Sequence, residues 1–297
     1  MGHETISQCY LGGSFLINRW GEVMTKADER LKGNIREILD NGATDENPRA
    51  KYRDGTPAHT VYISDVYEKY GIGEVPITTL RNIPIKHGFG EILWIYQQAS
   101  NRLADLHDMG ITYWDDWDIG DGTIGERYGK TVENYDLTNK LLTGLKEDPF
   151  SRRHIMSLWQ EEDLKKSGLH PCAFLTEWVV MKRNGELYLD LMLIQRSNDY
   201  LVSGHINMVQ YKALQLAFAK HLGYKAGTFS RHVANMHIYD RHIEQAHELL
   251  KREGSEEEPE LILDVPDGTS FWDIKPTDLK IKNYHPNKPQ LKFDLGI

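Results

Sequence analysis

The chain places one thiol a short distance before a guanidinium, a hydroxyl and a carboxylate, as Pro171-Cys172 and then Gln195-Arg196-Ser197-Asn198-Asp199. The thiolate is the reactive form of cysteine, and a neighbouring cation favours it. Cys172 is therefore a candidate nucleophile with Arg196 to activate it, and Pro171 fixes the backbone just ahead of it. A lone cysteine in an apolar strand also reads as a buried structural residue, so other groups have to decide. Arg152 and Arg153, after Asp148-Pro149-Phe150-Ser151, are adjacent guanidiniums in an acidic protein. Two such groups suit a phosphate dianion through bidentate, charge-assisted contacts. Arg53, in Arg53-Asp54-Gly55-Thr56, is a third candidate.

Glu91 lies in the mostly apolar Gly90-Glu91-Ile92-Leu93-Trp94. It stands either at a helix edge in water or buried with a raised pKa, as a general acid/base needs. Trp114-Asp115-Asp116-Trp117 sets two indoles three residues apart, a core pair or a stacking wall for a flat heterocycle. Asn207, His237 and Tyr239 are polar groups among apolar neighbours. An amide offers a donor and an acceptor that match the N3–H/O4 edge of a uracil-type ring. His237 and Tyr239 alternate along an expected strand, so they point the same way and could hold a ribose hydroxyl.

The elements that must position these groups follow from periodicity. Helices are expected over Glu22–Asn41, ending at Asn41-Gly42, and over Gly88–Ala99, Arg102–Asp108, Asp136–Leu145, Asn207–Leu222 and Asp240–Arg252. Strands are expected over Thr60–Tyr67, Val75–Leu80, His154–Trp159 and, partly, Thr228–Ile238. Phe174–Lys182 and Glu186–Ile194 flank Asn184-Gly185, a hairpin signal. A tail of short strands is expected from Ser270–Phe271. This mixture implies an α/β (α+β) fold with a mixed β-sheet flanked by helices rather than a regular βαβ repeat. No Pro/Gly/Ser-rich linker divides the chain, so residues 1–297 read as a single domain.

The net charge of −9 over 297 residues argues against holding nucleic acid by bulk charge. Two cysteines, Cys9 and Cys172, build neither a disulfide framework nor an all-cysteine zinc site, so no metal is expected. The reading is of a cytoplasmic protein without signal peptide or membrane span. No glycine-rich dinucleotide or P-loop fingerprint is present.

Together these segments resemble the folate-dependent thymidylate synthase family, from about Arg53 to Ile297. The resemblance rests on Asp54-Gly55-Thr56, Glu91-Ile92-Leu93-Trp94, Trp114-Asp115-Asp116-Trp117, Tyr128-Gly129-Lys130, Ser151-Arg152-Arg153-His154-Ile155, Pro171-Cys172, Gln195 to Asp199, Asn207 and His237-Ile238-Tyr239. It looks most like a branch found in bacilli and their phages. The resemblance implies that Cys172 attacks C6 of dUMP and that C5 takes a carbon from 5,10-methylenetetrahydrofolate. Glu91 would manage protons, Tyr128 would help remove the C5 proton, and Asn207 would read the uracil edge. Arg53, Arg196 and Ser197 would bind phosphate, with Arg152 and Arg153 reaching in from the other subunit of a sheet-mediated homodimer. His237 and Tyr239 would hold the 3′-hydroxyl. Asp199, Trp114, Trp117 and Ile297 would close on the folate.

The chain departs from the family pattern near the folate and the C5 substituent. Ser203-Gly204-His205-Ile206 stands where the family shows Gly-x-Pro-Phe. Ala234-Asn235 replaces Gly-Asp, Ala173 follows the cysteine, and Gln160 replaces an Asn. Methylation to dTMP and hydroxymethylation to 5-hydroxymethyl-dUMP share an intermediate, and His205 could orient the water that separates them. Asn207 favours uracil, since a cytosine reader is expected to carry Asp. A catalytically inactive nucleotide- or RNA-binding homologue is the reading from another class, and the intact Cys172, Glu91 and Tyr128 speak against it.

Overall fold

A computed structural model of the chain describes residues 16–17 and 23–297. Cys9 and the rest of the first fifteen residues lie outside them. A short antiparallel pair, β1 (Leu16–Ile17) and β2 (Val23–Met24), leads into α1 (Lys26–Asn41). The first helix begins only at Lys26 because Thr25 caps it, its Oγ1 accepting the Asp28 N–H at 3.2 Å. It ends at Asn41 as expected, where a Cβ on Gly42 would lie 2.3 Å from the Ile38 carbonyl oxygen.

The centre is a seven-stranded mixed sheet. Its strands are β3 (Ala43–Thr44), β4 (Thr60–Tyr70), β5 (Ile155–Ser157), β6 (Ala173–Arg183), β7 (Glu186–Gln195), β8 (Asn198–Asp199) and β9 (Lys225–Tyr239). They run in the order β3-β4-β9-β7-β6-β5, with β8 beside β9. β7 and β8 are parallel to β9, and the other pairings are antiparallel. The β6–β7 hairpin turns at Asn184 and Gly185, with φ of 52° and 87°, the left-handed pair that a two-residue hairpin demands.

The helices are α2 (Ile85–Tyr96), α3 (Leu103–His107), α4 (Gly129–Tyr135), α5 (Leu137–Glu147), α6 (Glu161–Leu164), α7 (His205–Leu222) and α8 (Ile243–Lys251). α7 is buried nearly all round, and its polar Gln210, Lys212 and Gln215 are buried with its apolar residues. It stops at Gly223, whose φ of 69° only glycine adopts cheaply. One sheet face carries Trp178, Val180, Leu189, Leu191, Leu193 and Phe229, and these join α2 and α7 in the main core. A second cluster joins α1 and α8 to Val233, Met236 and Ile238 of β9. The opposite face of β6 and β7 is open, with Val179 and Met181 43% and 42% exposed.

Two expected strands are absent. Val75–Leu80 is buried but pairs with no strand, because its polar groups turn to a carboxylate under α1. Thr78 Oγ1 and the Thr79 N–H donate to Asp28 Oδ1 at 2.6 and 2.7 Å. Ser270–Phe271 opens onto two short 3-10 turns, Phe271–Asp273 and Pro276–Asp278. The tail's strand pair is β10 (Glu260–Leu263) with β11 (Leu279–Lys282). Among the described residues no helix is long and apolar enough to cross a membrane.

Candidate active site

Cys172 sits in the turn that enters β6, and Arg196 in the turn that leaves β7. Pairing of these strands brings the two together, the Arg196 N–H donating to the Cys172 carbonyl at 3.0 Å. The guanidinium is held by the Pro171 and His170 carbonyls at 3.0 and 2.8 Å. Its Nη2 then lies 3.7 Å from Cys172 Sγ. Burial pushes the thiol up, while Arg196 and Arg49 pull against it. The expectation that Arg196 would leave the thiol poised as a thiolate is thus half met: the pull is present, but burial outweighs it.

Cys172, Glu91, Tyr128, Arg196, Ser197, Asp199, Asn207, His237, Tyr239, Trp114, Trp117 and Ile297 all line one cavity of about 730 Å³. Glu91 is on the inner side of α2 and 6% exposed. Burial raises its carboxyl, against a hydrogen bond donated by the Tyr113 hydroxyl. Gln210 and Trp114 also face the carboxyl, without meeting it in full hydrogen-bond geometry. The edge-of-helix alternative for Glu91 therefore fails. Tyr128 precedes α4 in a strained conformation, φ 49°, of the kind that accumulates at functional sites. Its hydroxyl accepts the Cys172 N–H at 3.4 Å. Gly129 permits this, since a Cβ there would lie 2.0 Å from the Ser100 carbonyl oxygen.

Asp199 ends β8, and burial raises its carboxyl to about 7. Asn207 is in the first turn of α7, beyond a wide π turn over Tyr200–Gly204. Its Oδ1 accepts from Gln195 Nε2 at 3.1 Å, and its Nδ2 donates to Gln210 Oε1 at 3.0 Å. His237 and Tyr239 do share a face of β9, their rings 5.3 Å apart edge to face. Burial lowers His237 to about 4, so it is neutral near pH 7. Trp114 packs at 5.4 Å from Trp117 and 5.1 Å from Tyr128. The chain's last residue is strapped over the cavity: Ile297 and Lys51 exchange backbone hydrogen bonds of 2.8 and 2.9 Å.

Three expected phosphate ligands are not in this cavity. Arg53 is a correction. Residues 50–58 form a small hairpin, with the Ala58 N–H donating to the Ala50 carbonyl and the Tyr52 N–H accepted by the Thr56 carbonyl. Arg53 is at its tip, 75% exposed, its Nη2 donating to both Asp116 carboxylate oxygens at 2.9 and 2.7 Å. Arg49, at the base of the same loop, lines the cavity instead. Arg152 and Arg153 are exposed on the turn before β5 and form no ion pair among the described residues. His205 does not line the cavity; it is 1% exposed and packs 5.9 Å from the Tyr200 ring.

Sequence reasoning missed Arg49, Arg81, Tyr113 and Gln210. Arg81 is buried beside Asp199, donates to the Leu201 carbonyl and lies over Phe293. Only Gln210 carried a signal, a polar residue three positions after Asn207 and so on the same helix face.

The mixed sheet brings a thiol, a buried carboxyl, a tyrosine and a side-chain amide to one cavity. The sequence model of the family described as thymidylate synthase matches residues 30–297, and the chain belongs to that family. It is 53% identical over 279 residues to the thymidylate synthase of Lactococcus lactis subsp. cremoris (strain SK11), covering 92% of this chain and 100% of that one. It is 52% identical to the thymidylate synthase of Streptococcus suis (strain 05ZYH33), with the same coverage. Among solved structures it is similar to the thermostable thymidylate synthase A from Bacillus subtilis, with a TM-score of 0.83, 36% identity, and 92% and 100% of the two chains covered.

Proposed function

We propose that the chain transfers a one-carbon unit from 5,10-methylenetetrahydrofolate to C5 of dUMP, giving dTMP and dihydrofolate. What carries this reading is the convergence of a thiol, a buried acid, a tyrosine and a base-reading amide in one cavity. Cys172 Sγ adds to C6, and the C5=C6 electrons pass to C5 as an enolate with charge on O4. Asn207 donates from Nδ2 to O4 and accepts N3–H at Oδ1, which stabilises that charge. Glu91, whose carboxyl burial raises, exchanges a proton with the pyrimidine through water. Tyr128, beside the thiol, assists loss of the C5 proton. When Cys172 leaves C6, the C5=C6 bond re-forms.

Arg49, Arg196 and Ser197 hold the phosphate, and neutral His237 with Tyr239 holds the 3′-hydroxyl. The folate fits the residues present. Trp114 and Trp117, their rings 59° apart in plane, make an aromatic wall that Ile83, Leu291 and Phe293 continue. Asp199 offers a polar group to a pterin edge. The folate supplies the carbon and, in methylation, the hydride. We further propose a homodimer through the open sheet face, in which Arg152 and Arg153 serve the phosphate of a second copy. His205, the residue that could have steered a water, is buried against Tyr200 and does not line the cavity, which supports methylation.

Product mass spectrometry tests the reading. dUMP with the folate should yield dTMP and dihydrofolate. 5-Hydroxymethyl-dUMP with tetrahydrofolate would replace methylation by hydroxymethylation, and no nucleotide product would reject both.

A further inference from the structure

Behind the base-reading amide lies a charge pair that this chemistry does not use. Glu68 on β4 and Arg231 on β9 stand directly opposite each other in the antiparallel register. They are 1% and 0% exposed. Arg231 donates from Nε to Glu68 Oε2 at 2.8 Å and from Nη2 to the same oxygen. Asn34 Nδ2 occupies the other carboxylate oxygen at 3.0 Å. The remaining nitrogen, Nη1, donates to the Gly204 carbonyl at 3.0 Å and to Gln195 Oε1 at 3.3 Å. Buried ion pairs are seldom more stable than well-packed apolar groups of the same size, so stability alone does not explain the pair.

Its neighbours suggest a different role. A guanidinium can only donate. It therefore fixes which end of the fully buried Gln195 amide faces it, the oxygen. Gln195 must then present Nε2 to Asn207, and Asn207 must present Oδ1 in return, at 3.1 Å. Asn207 Nδ2 is left on the other side, 3.0 Å from Gln210 Oε1. Asn198 Nδ2 lies 3.4 Å from the same Asn207 oxygen, but that amide is neutral and its own oxygen has no partner, so it sets no direction. One cation thus orients a row of side-chain amides that could otherwise turn over.

We infer that the Glu68–Arg231 pair is an orientation clamp that makes this chain select uracil over cytosine. The inference rests on the reading of the cavity as a dUMP site. Asn207 Oδ1 accepts firmly from Gln195 at 3.1 Å and only loosely from Asn198 at 3.4 Å, so a base N3–H takes the place of the Asn198 contact. As oriented, the amide offers that acceptor to N3–H and a donor to O4, the uracil edge. Turned over, it would donate to N3 and accept from the 4-amino group, the cytosine edge. Arg231 is a positioning residue: it touches no substrate and acts through Gln195 and Asn207.

Titration calorimetry of the full chain with dUMP and with dCMP tests this. Glu68→Met/Arg231→Met removes both charges together and leaves neither unpaired. Glu68→Gln/Arg231→Gln keeps polarity but has no obligate donor, and either folded variant decides the matter. The parent chain should prefer dUMP, and each double variant should lose at least about tenfold of that preference, with dCMP binding tighter than to the parent. An unchanged preference in a folded variant overturns the clamp. Equal weakening of both nucleotides also overturns it, because that is what lost packing produces. Failure of the parent chain to bind dUMP would instead reject the substrate reading.

Discussion

At the scale of single residues, the cavity is governed by burial working against charge. Cys172 feels two guanidiniums, yet burial wins and its thiol is raised. Alkylation by iodoacetamide should therefore still accelerate above about pH 8.5, where an ordinary cysteine has half ionised. Arg196→Ala should slow it further at pH 7, and an equal rate would remove Arg196 as an activator. Asp199 gives a stability prediction. Its folded carboxyl titrates near 7, above its unfolded range, so the folded state binds the extra proton between the two values. Its contribution is complete below about pH 4 and is lost as pH rises towards 7. Asp199→Asn cannot ionise. Its melting temperature relative to the parent should therefore climb across that window, and a flat difference would contradict the shift. The residue types needed for chemistry were legible in the sequence. Depth of burial was not, which is why the Cys172 balance and the fate of His205 had to come from the structure.

At the scale of elements, what could be read was local. Asn184-Gly185 has to turn a hairpin, and the apolar run before Gly223 has to be a buried helix; both stand as expected. What could not be read depends on partners distant in sequence. Val75–Leu80 has the composition of a strand, but Asp28 takes its polar groups. Arg49 and Arg53 are alike in type, and only the hairpin between them decides that one faces inward and the other outward. Gly129 is such a constrained point. Gly129→Ala would drive a Cβ to 2.0 Å from the Ser100 carbonyl oxygen, so it should lower stability by about 2 kcal/mol and displace Tyr128. Thermal unfolding checks the first effect and turnover the second. The tail is another constrained point. Gly296 lies where a Cβ would meet the Tyr239 ring at 2.7 Å. Gly296→Val should lift Ile297 from Lys51 and cut turnover while leaving the melting temperature nearly unchanged.

At the scale of the whole molecule, the open sheet face and the outlying arginines make one prediction together. If Arg152 and Arg153 serve a second copy, neither an Arg152→Ala/Arg153→Ala chain nor a Cys172→Ala chain should turn over alone. An equal mixture, after subunit exchange, should recover about a quarter of parent activity, since half the dimers then hold one intact site. No recovery would separate the arginines from the site. The claim on which all of this depends is that Cys172 bonds to C6 of the pyrimidine. A dUMP carrying fluorine at C5 has no proton there to lose, so an adduct formed in the presence of the folate should persist. Peptide mass spectrometry of that mixture is the most direct measurement. The account predicts the added nucleotide mass on the peptide containing Cys172, and an unmodified Cys172 peptide, or the mass on another residue, would contradict it.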